Sequence, residues 1–397
     1  MPLDSTPSPS ESSERYFDWA ATAIPDEEIL RESLEESLSF WQNPSSAHSG
    51  GKSAKVALDE ARKKCAAAFG ARAENIFFTS GGTEANHIPL LSILNRPERG
   101  EILFSSIEHP SMREMAMELK HCGFMVRQIP CDKNGIVSAK SVRECLGSET
   151  LFVGVMAVNN EIGAIQPIVE IAEMLDEFYE GRRRPKFHVD CVQALGKIPL
   201  DLSRHSIDSA AASAHKIRGP RGIGILYLKN PIEPFLRGGG QEAGIRSGTE
   251  NVFGALAFAK CLERYAGDSL AEKNRTQEIL TSEFIKKLST IKSCTIIPPA
   301  RAENPIDANF SPWIVQASFE GIPGNVMLRA LDAKGFSIST GSACSSKKAS
   351  RPVLEAMGIG KDLRENSVRF SFGPTTTANA MDALFEEVKK ICGQFSV

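Results

Sequence analysis

Short apolar runs alternate with helix-length amphipathic stretches along most of this chain, and that alternation limits the fold more than any other feature. "NIFFTS" (75–80) precedes "TEANHIPLLSIL", and "EILFSS" (101–106) precedes "SMREMAMELKHCG". "FMVRQIP", "LFVGVMAV", "KFHVDCV", "DSAAAS" and "GIGILYL" follow in turn. Continuous apolar runs suit strands buried on both faces, and their alternation with helices builds a mostly parallel α/β sheet. A large α/β domain is expected over 34–262. The charged helical stretch "AEKNRTQEILTSEFIKKLSTI" opens a different pattern, with isolated strand candidates "WIVQASF" and "SVRFSF". A smaller α+β domain is expected over 263–397, with 16–33 as a segment joining it.

Composition narrows the function classes. A net charge of −3 over 397 residues argues against nucleic acid as the main partner. The longest apolar run, near "LFVGVMAV", is far shorter than the roughly 18 residues a membrane span needs. Nine scattered cysteines without a CxxC pair favour reduced thiols and a cytoplasmic setting. The acidic, Ser/Pro-rich "MPLDSTPSPSESSER" (1–15) reads as a disordered tail, lacking the apolar core of a signal peptide. The arginine run 182–184 reads as a solvated turn.

Ligand clefts in such sheets lie at the carboxyl ends of strands. After "NIFFTS" comes "GGTEAN": Gly82 permits close backbone approach, Thr83 is expected to cap the next helix, and a helix start binds phosphate. Asp190 and Gln193 follow "KFHV", so a carboxylate can hold a proton on a heterocyclic nitrogen. After "DSAAA" come Ser213, His215 and Lys216; a lysine in so apolar a segment can be desolvated into a Schiff-base nucleophile. His109, just past another strand, could stack on a ring held in the cleft. A phosphate site, an Asp and a nucleophilic lysine together match what pyridoxal 5'-phosphate requires. "STGSACSSKKAS" (339–350) adds Cys344, a lone thiol on a polar loop.

The chain resembles the cysteine desulfurases, in class V of the pyridoxal-phosphate-dependent aminotransferase-like enzymes (fold type I). The resemblance rests on "YFDWAATA", "NPSSAHSGGKSA", "TSGGTEAN", "EHPSM", "VNNEIGAIQP", "HVDCVQALGKIPLDL", "SAHKIRGPRGIGILYL", "GGGQEAGIRSGTEN", "STGSACSS" and "VRFSFGPTTT". It implies that Lys216 carries the cofactor, Asp190 pairs with the pyridine nitrogen and Gln193 with the ring hydroxyl. It implies that His109 stacks on the ring and assists proton transfer. Gly82, Thr83, Ser213 and His215 would bind the phosphate, with Thr249 from a partner subunit, so a homodimer is implied. Asn160, also beside the cofactor, and Arg369 would hold the substrate carboxylate, Arg369 through a bidentate fork.

Cys344 would take the sulfur of L-cysteine as a persulfide, leave L-alanine, and pass the sulfur to an acceptor such as an iron–sulfur scaffold protein. Cys191, next to Asp190, is expected to point to the opposite strand face and stay silent. The long loop without histidine resembles group I of the family. No metal is called for. Trp19, Ala23 and Ala243 depart from the family pattern, which puts them at the cleft entrance and the subunit contact. The alternatives are a selenocysteine lyase and a catalytically inactive cofactor-binding scaffold.

Overall fold

The computed structural model describes residues 13–200, 202, 205–267, 269–341 and 351–395. Cys344, and most of the expected tail 1–15, lie outside the described residues. Seven strands form one sheet: β1 (Ile76–Thr79), β2 (Glu101–Ser105), β3 (Met125–Ile129), β4 (Thr150–Met156), β5 (Lys186–Asp190), β6 (Ser209–Ser213) and β7 (Gly224–Leu228), in the order β1-β7-β6-β5-β4-β2-β3. The pairs β2–β3, β2–β4, β4–β5 and β5–β6 are parallel, and only β7 runs against the rest. The mostly parallel α/β reading therefore holds.

Burial follows position in the sheet. Every residue of the central β6, "SAAAS", is buried, while the edge strand β3, "MVRQI", is exposed at three positions. Central strands need apolar side chains on both faces because helices cover both, and an edge strand does not.

The helices of seven residues or more are α1 (Glu27–Leu38), α2 (Ser49–Ala68), α3 (Gly82–Leu91), α4 (Pro110–His121), α5 (Ala139–Cys145), α6 (Ile168–Phe178), α7 (Val252–Tyr265), α8 (Leu270–Leu288), α9 (Gly324–Asp332) and α10 (Ala378–Phe395). Local chemistry sets their starts. Asp26 caps α1 by accepting the Ile29 amide, and His109 caps α4 with Pro110 at the first helical position.

A second sheet, fully antiparallel, joins β8 (Cys294–Ile297), β9 (Ile314–Phe319) and β10 (Ser367–Ser371) in the order β10-β9-β8. Its apolar face packs on Phe284, Ile285 and Leu288 of α8 and on Leu384 and Val388 of α10. Phe17 and Ala20 belong to the same cluster, and Tyr16 and Asp18 bridge to Ser337 and Ser371. The chain thus crosses from the second sheet to the first within residues 16–29, and those crossing residues floor the site. Among the described residues no helix is long and apolar enough to cross a membrane.

Candidate functional site

The parallel strands end on one edge, and the turns leaving them enclose a cavity of about 240 Å³. Gly82 and Thr83 follow β1, His109 follows β2, and Asn160 follows β4. Asp190 and Gln193 come at the end of β5, and Ser213, His215 and Lys216 at the end of β6. Arg369 enters from β10 of the second sheet. Residues spread over most of the chain meet here because parallel strands deliver their carboxyl ends to one side.

The α3 start differs in detail from the sequence expectation. Gly81, not Thr83, is the N-cap, and it makes no side-chain cap. Thr83 lies inside the first turn, where it lines the cavity. A Cβ added at Gly82 would stand 2.7 Å from Val192 Cγ2, so only glycine lets this turn approach the β5 turn so closely. The first amides of a helix have no partner inside it, so they are available to an anion.

Asp190 accepts the Val192 amide at 2.9 Å and the Asn86 side-chain amide at 2.8 Å. It is buried and has no cationic partner among the described residues. Lys216 Nζ donates to the carbonyls of Ala20 and Ala21, both at 2.7 Å. Gln193 donates to the Ala20 carbonyl at 2.8 Å and accepts from Lys197 Nζ at 2.5 Å. Lys197 is buried, and burial, with Lys216 and Arg369 adding like charge, pushes its ammonium down to about 7. Burial likewise pushes His215 down to about 3, so its ring is neutral where it lines the cavity.

Arg369 is 1% exposed. Its Nη2 pairs with Asp18 Oδ1 at 2.6 Å and its Nη1 donates to the Asn160 carbonyl at 2.8 Å, while Nε has no partner among the described residues. Each terminal nitrogen keeps a second hydrogen, so three N–H groups remain for a carboxylate. Asn160 thus serves Arg369 through its backbone oxygen.

Thr249, expected to reach a partner subunit's phosphate, is exposed and lies outside this chain's own cavity. Trp19 and Ala23 are buried, not at the cleft entrance, and line a small void of about 30 Å³ that also reaches Lys216. Ala243 is exposed with φ of +52°. Cys191 is fully buried, and burial first, then Asp190, raises its thiol well above the ordinary range. Such a thiol is not an available thiolate.

Sequence reading passed over Asp18, Asn86, Ser111 and Lys197. Asp18 and Asn86 sat inside quoted motifs, "YFDWAATA" and "TSGGTEAN". Their partners, though, lie at 369 and 190, which no local pattern connects.

The aminotransferase class-V family model matches residues 15–384. A cysteine desulfurase IscS of Methanosarcina thermophila is 37% identical over 95% of this chain and 91% of its own length. Among solved structures, a NifS-like protein superposes with a TM-score of 0.87 at 31% identity, covering 96% of this chain and all of its own. SspA in complex with cysteine gives 0.77 at 28% identity, covering 91% of this chain and all of its own.

Proposed function

This chain belongs to the aminotransferase class-V family, beside its cysteine desulfurases, and from that premise we propose that it holds pyridoxal 5'-phosphate around Lys216 and converts L-cysteine to L-alanine. The supporting observation is the convergence on one cavity of a helix start, a buried carboxylate without a cation, and a lysine. This donor set fits the group: an anion at the α3 amides, a protonated ring nitrogen at Asp190, an aldehyde at Lys216. Ser213 and His215 stand ready for the phosphate and His109 for the ring face.

When bound, the cofactor supplies a protonated ring that accepts the charge left when the substrate α-carbon loses its proton. Every other task falls to this chain. Arg369 binds the substrate carboxylate through its spare N–H groups and orients the α-carbon. Lys216, once its amine is released, takes the α-proton and later returns a proton to carbon. Cys344, as thiolate, attacks the substrate sulfur; the S–Cys344 bond forms as the C–S bond breaks, leaving a persulfide on the protein. Alanine leaves after the carbon is protonated. The persulfide then passes to a thiol of an acceptor protein in the cytoplasm.

The same reading makes the protein a homodimer in which Thr249 reaches the partner's phosphate site. Exposed Phe235 and Leu236 beside Thr83 and Glu84 offer apolar surface for such a contact. Light scattering at twice the chain mass checks it, and a fully active monomer would contradict it.

The deciding experiment incubates the purified protein with cysteine and a reductant and measures alanine and sulfide together. Equal amounts of both are expected. Lys216→Ala should lose both, together with the visible absorbance of the bound cofactor. Turnover by that variant would remove Lys216 from its role.

A further inference from the structure

One buried side chain, Asn86, links Asp190 to the residue that bonds His109. Asn86 Nδ2 donates to Asp190 Oδ2 at 2.8 Å and to Ser111 Oγ at 2.8 Å. A carboxylate only accepts, so the amide's nitrogen end must face it. The oxygen end, Oδ1, then faces His188 Nε2 at 2.9 Å. That ring nitrogen therefore carries a hydrogen, and His188 Nδ1 accepts from Ser209 Oγ at 2.8 Å. All these side chains are buried, and burial pushes His188 down to about 3, so it adds no charge. Every hydrogen of the Asn86 amide is used, and its orientation is fixed from three sides.

The chain of donors continues toward the cavity. Ser111 Oγ accepts from Asn86, which leaves its own hydrogen for His109 Nδ1 at 2.9 Å. The Ser111 backbone amide also points at Nδ1, at 3.1 Å, as the cap of α4. A backbone amide can only donate. Nδ1 is therefore an acceptor, and the neutral ring must carry its hydrogen on Nε2. Nε2 itself makes no hydrogen bond among the described residues, and the ring lines the cavity.

We propose that Asn86 and Ser111 are positioning residues that hold His109 as the neutral, Nε2-protonated tautomer, so that it meets whatever binds in the cavity as a hydrogen-bond donor. An imidazolium would need a hydrogen on Nδ1, against the amide that caps the helix. The positive end of the α4 dipole opposes it too. Burial, the strongest influence, holds His109 below the ordinary imidazole range; Asp190 pulls the other way, while Lys216 and Arg113 push further down. Removal of the substrate α-proton then belongs to Lys216 and not to His109. The consequence for catalysis rests on the cysteine desulfurase reading above; the tautomer does not.

The test is two-bond proton–nitrogen correlation of the imidazole rings in the purified, full-length, histidine-labelled protein, with His109 identified by its loss in His109→Gln. A neutral Nε2–H pattern at pH 7, with a titration midpoint below about 6.5, is expected. A Nδ1–H pattern, or an imidazolium at pH 7, would overturn the proposal. Ser111→Ala removes one donor to the unprotonated nitrogen, which favours the charged form. Its midpoint should rise by about 0.5–1 pH unit; no change would overturn the role of Ser111. Asn86→Ala should move the midpoint the same way. Alanine formation in the same wild-type sample separates the two ideas: a wrong tautomer with normal alanine defeats only this proposal.

Discussion

Replacing Arg62 with Met should destabilise the protein by about 3–5 kcal/mol, the range for breaking a buried ion pair on one side. Arg62 on α2 grips Glu242 bidentately, at 2.6 and 2.7 Å, and also donates to the Ile76 carbonyl at 2.8 Å. The Glu242 side chain is only 2% exposed, and it accepts the Phe78 amide of β1 at 2.7 Å. Glu242 and Ala243 have φ of +50° and +52°, a conformation that costs non-glycine residues about 1–2 kcal/mol each. The ion pair holds that turn in place. Without Arg62, Glu242 is a buried carboxylate facing one amide. Loss of the guanidinium over the Phe78 ring, at 4.9 Å, adds roughly 0.5–1 kcal/mol. Urea unfolding followed by circular dichroism measures the total. The loss should shrink by a few kcal/mol in the double variant Arg62→Met, Glu242→Gln, which leaves no buried charge unpaired. A loss under about 1 kcal/mol, or equal losses in the single and double variants, would refute the argument.

Two further predictions concern other sites. Glu108 is fully buried, and burial first, then the nearby Asp190, pushes its carboxyl up to about 8, against the bonds from Ser105 and the Met156 amide. The unfolded chain releases that proton near pH 4.3, so between there and about 8 the native state binds one proton more and stability falls as pH rises. Glu108→Gln cannot ionise and should become more stable relative to wild type, by roughly 2–5 kcal/mol, between pH 5 and 8; parallel unfolding curves would count against it. Cys344→Ala should keep cofactor absorbance and substrate binding yet form no alanine or sulfide, whereas Cys191→Ala should be nearly silent. The reverse pattern in the two assays would end the case for Cys344.

The sheet was legible because buried parallel strands leave long apolar runs, as at "LFVGVMAV" and "DSAAAS". Strand ends at Gly82, Asp190 and Lys216 then follow from the alternation alone. The strand β8, "CTII", escaped notice because four residues, two half-buried and then two buried, carry no period. Thr83 looked like a cap by residue type, but the helix is capped two residues earlier, at Gly81, and the hydroxyl falls inside the first turn. The Asn86–Ser111–His109 chain and the Asp18–Arg369 pair were out of reach for another reason. Each depends on which side chains meet across a cavity, and only the sheet order fixes that. Local spacing can nominate a residue by type, but not its hydrogen-bond partner.

Arg369 does more than line the cavity. Its backbone exchanges two hydrogen bonds with Ser339, and Gly341 lies against Arg351 and Glu161, closely enough that a Cβ there would stand 2.7 and 3.1 Å from them. Chain geometry alone keeps the Cα of residue 344 within about 11 Å of Gly341. Under the function proposed above, a sulfur held by Cys344 would be handed over close to the anchor at Ser339 and Gly341, and an acceptor would bring its own thiol to that place.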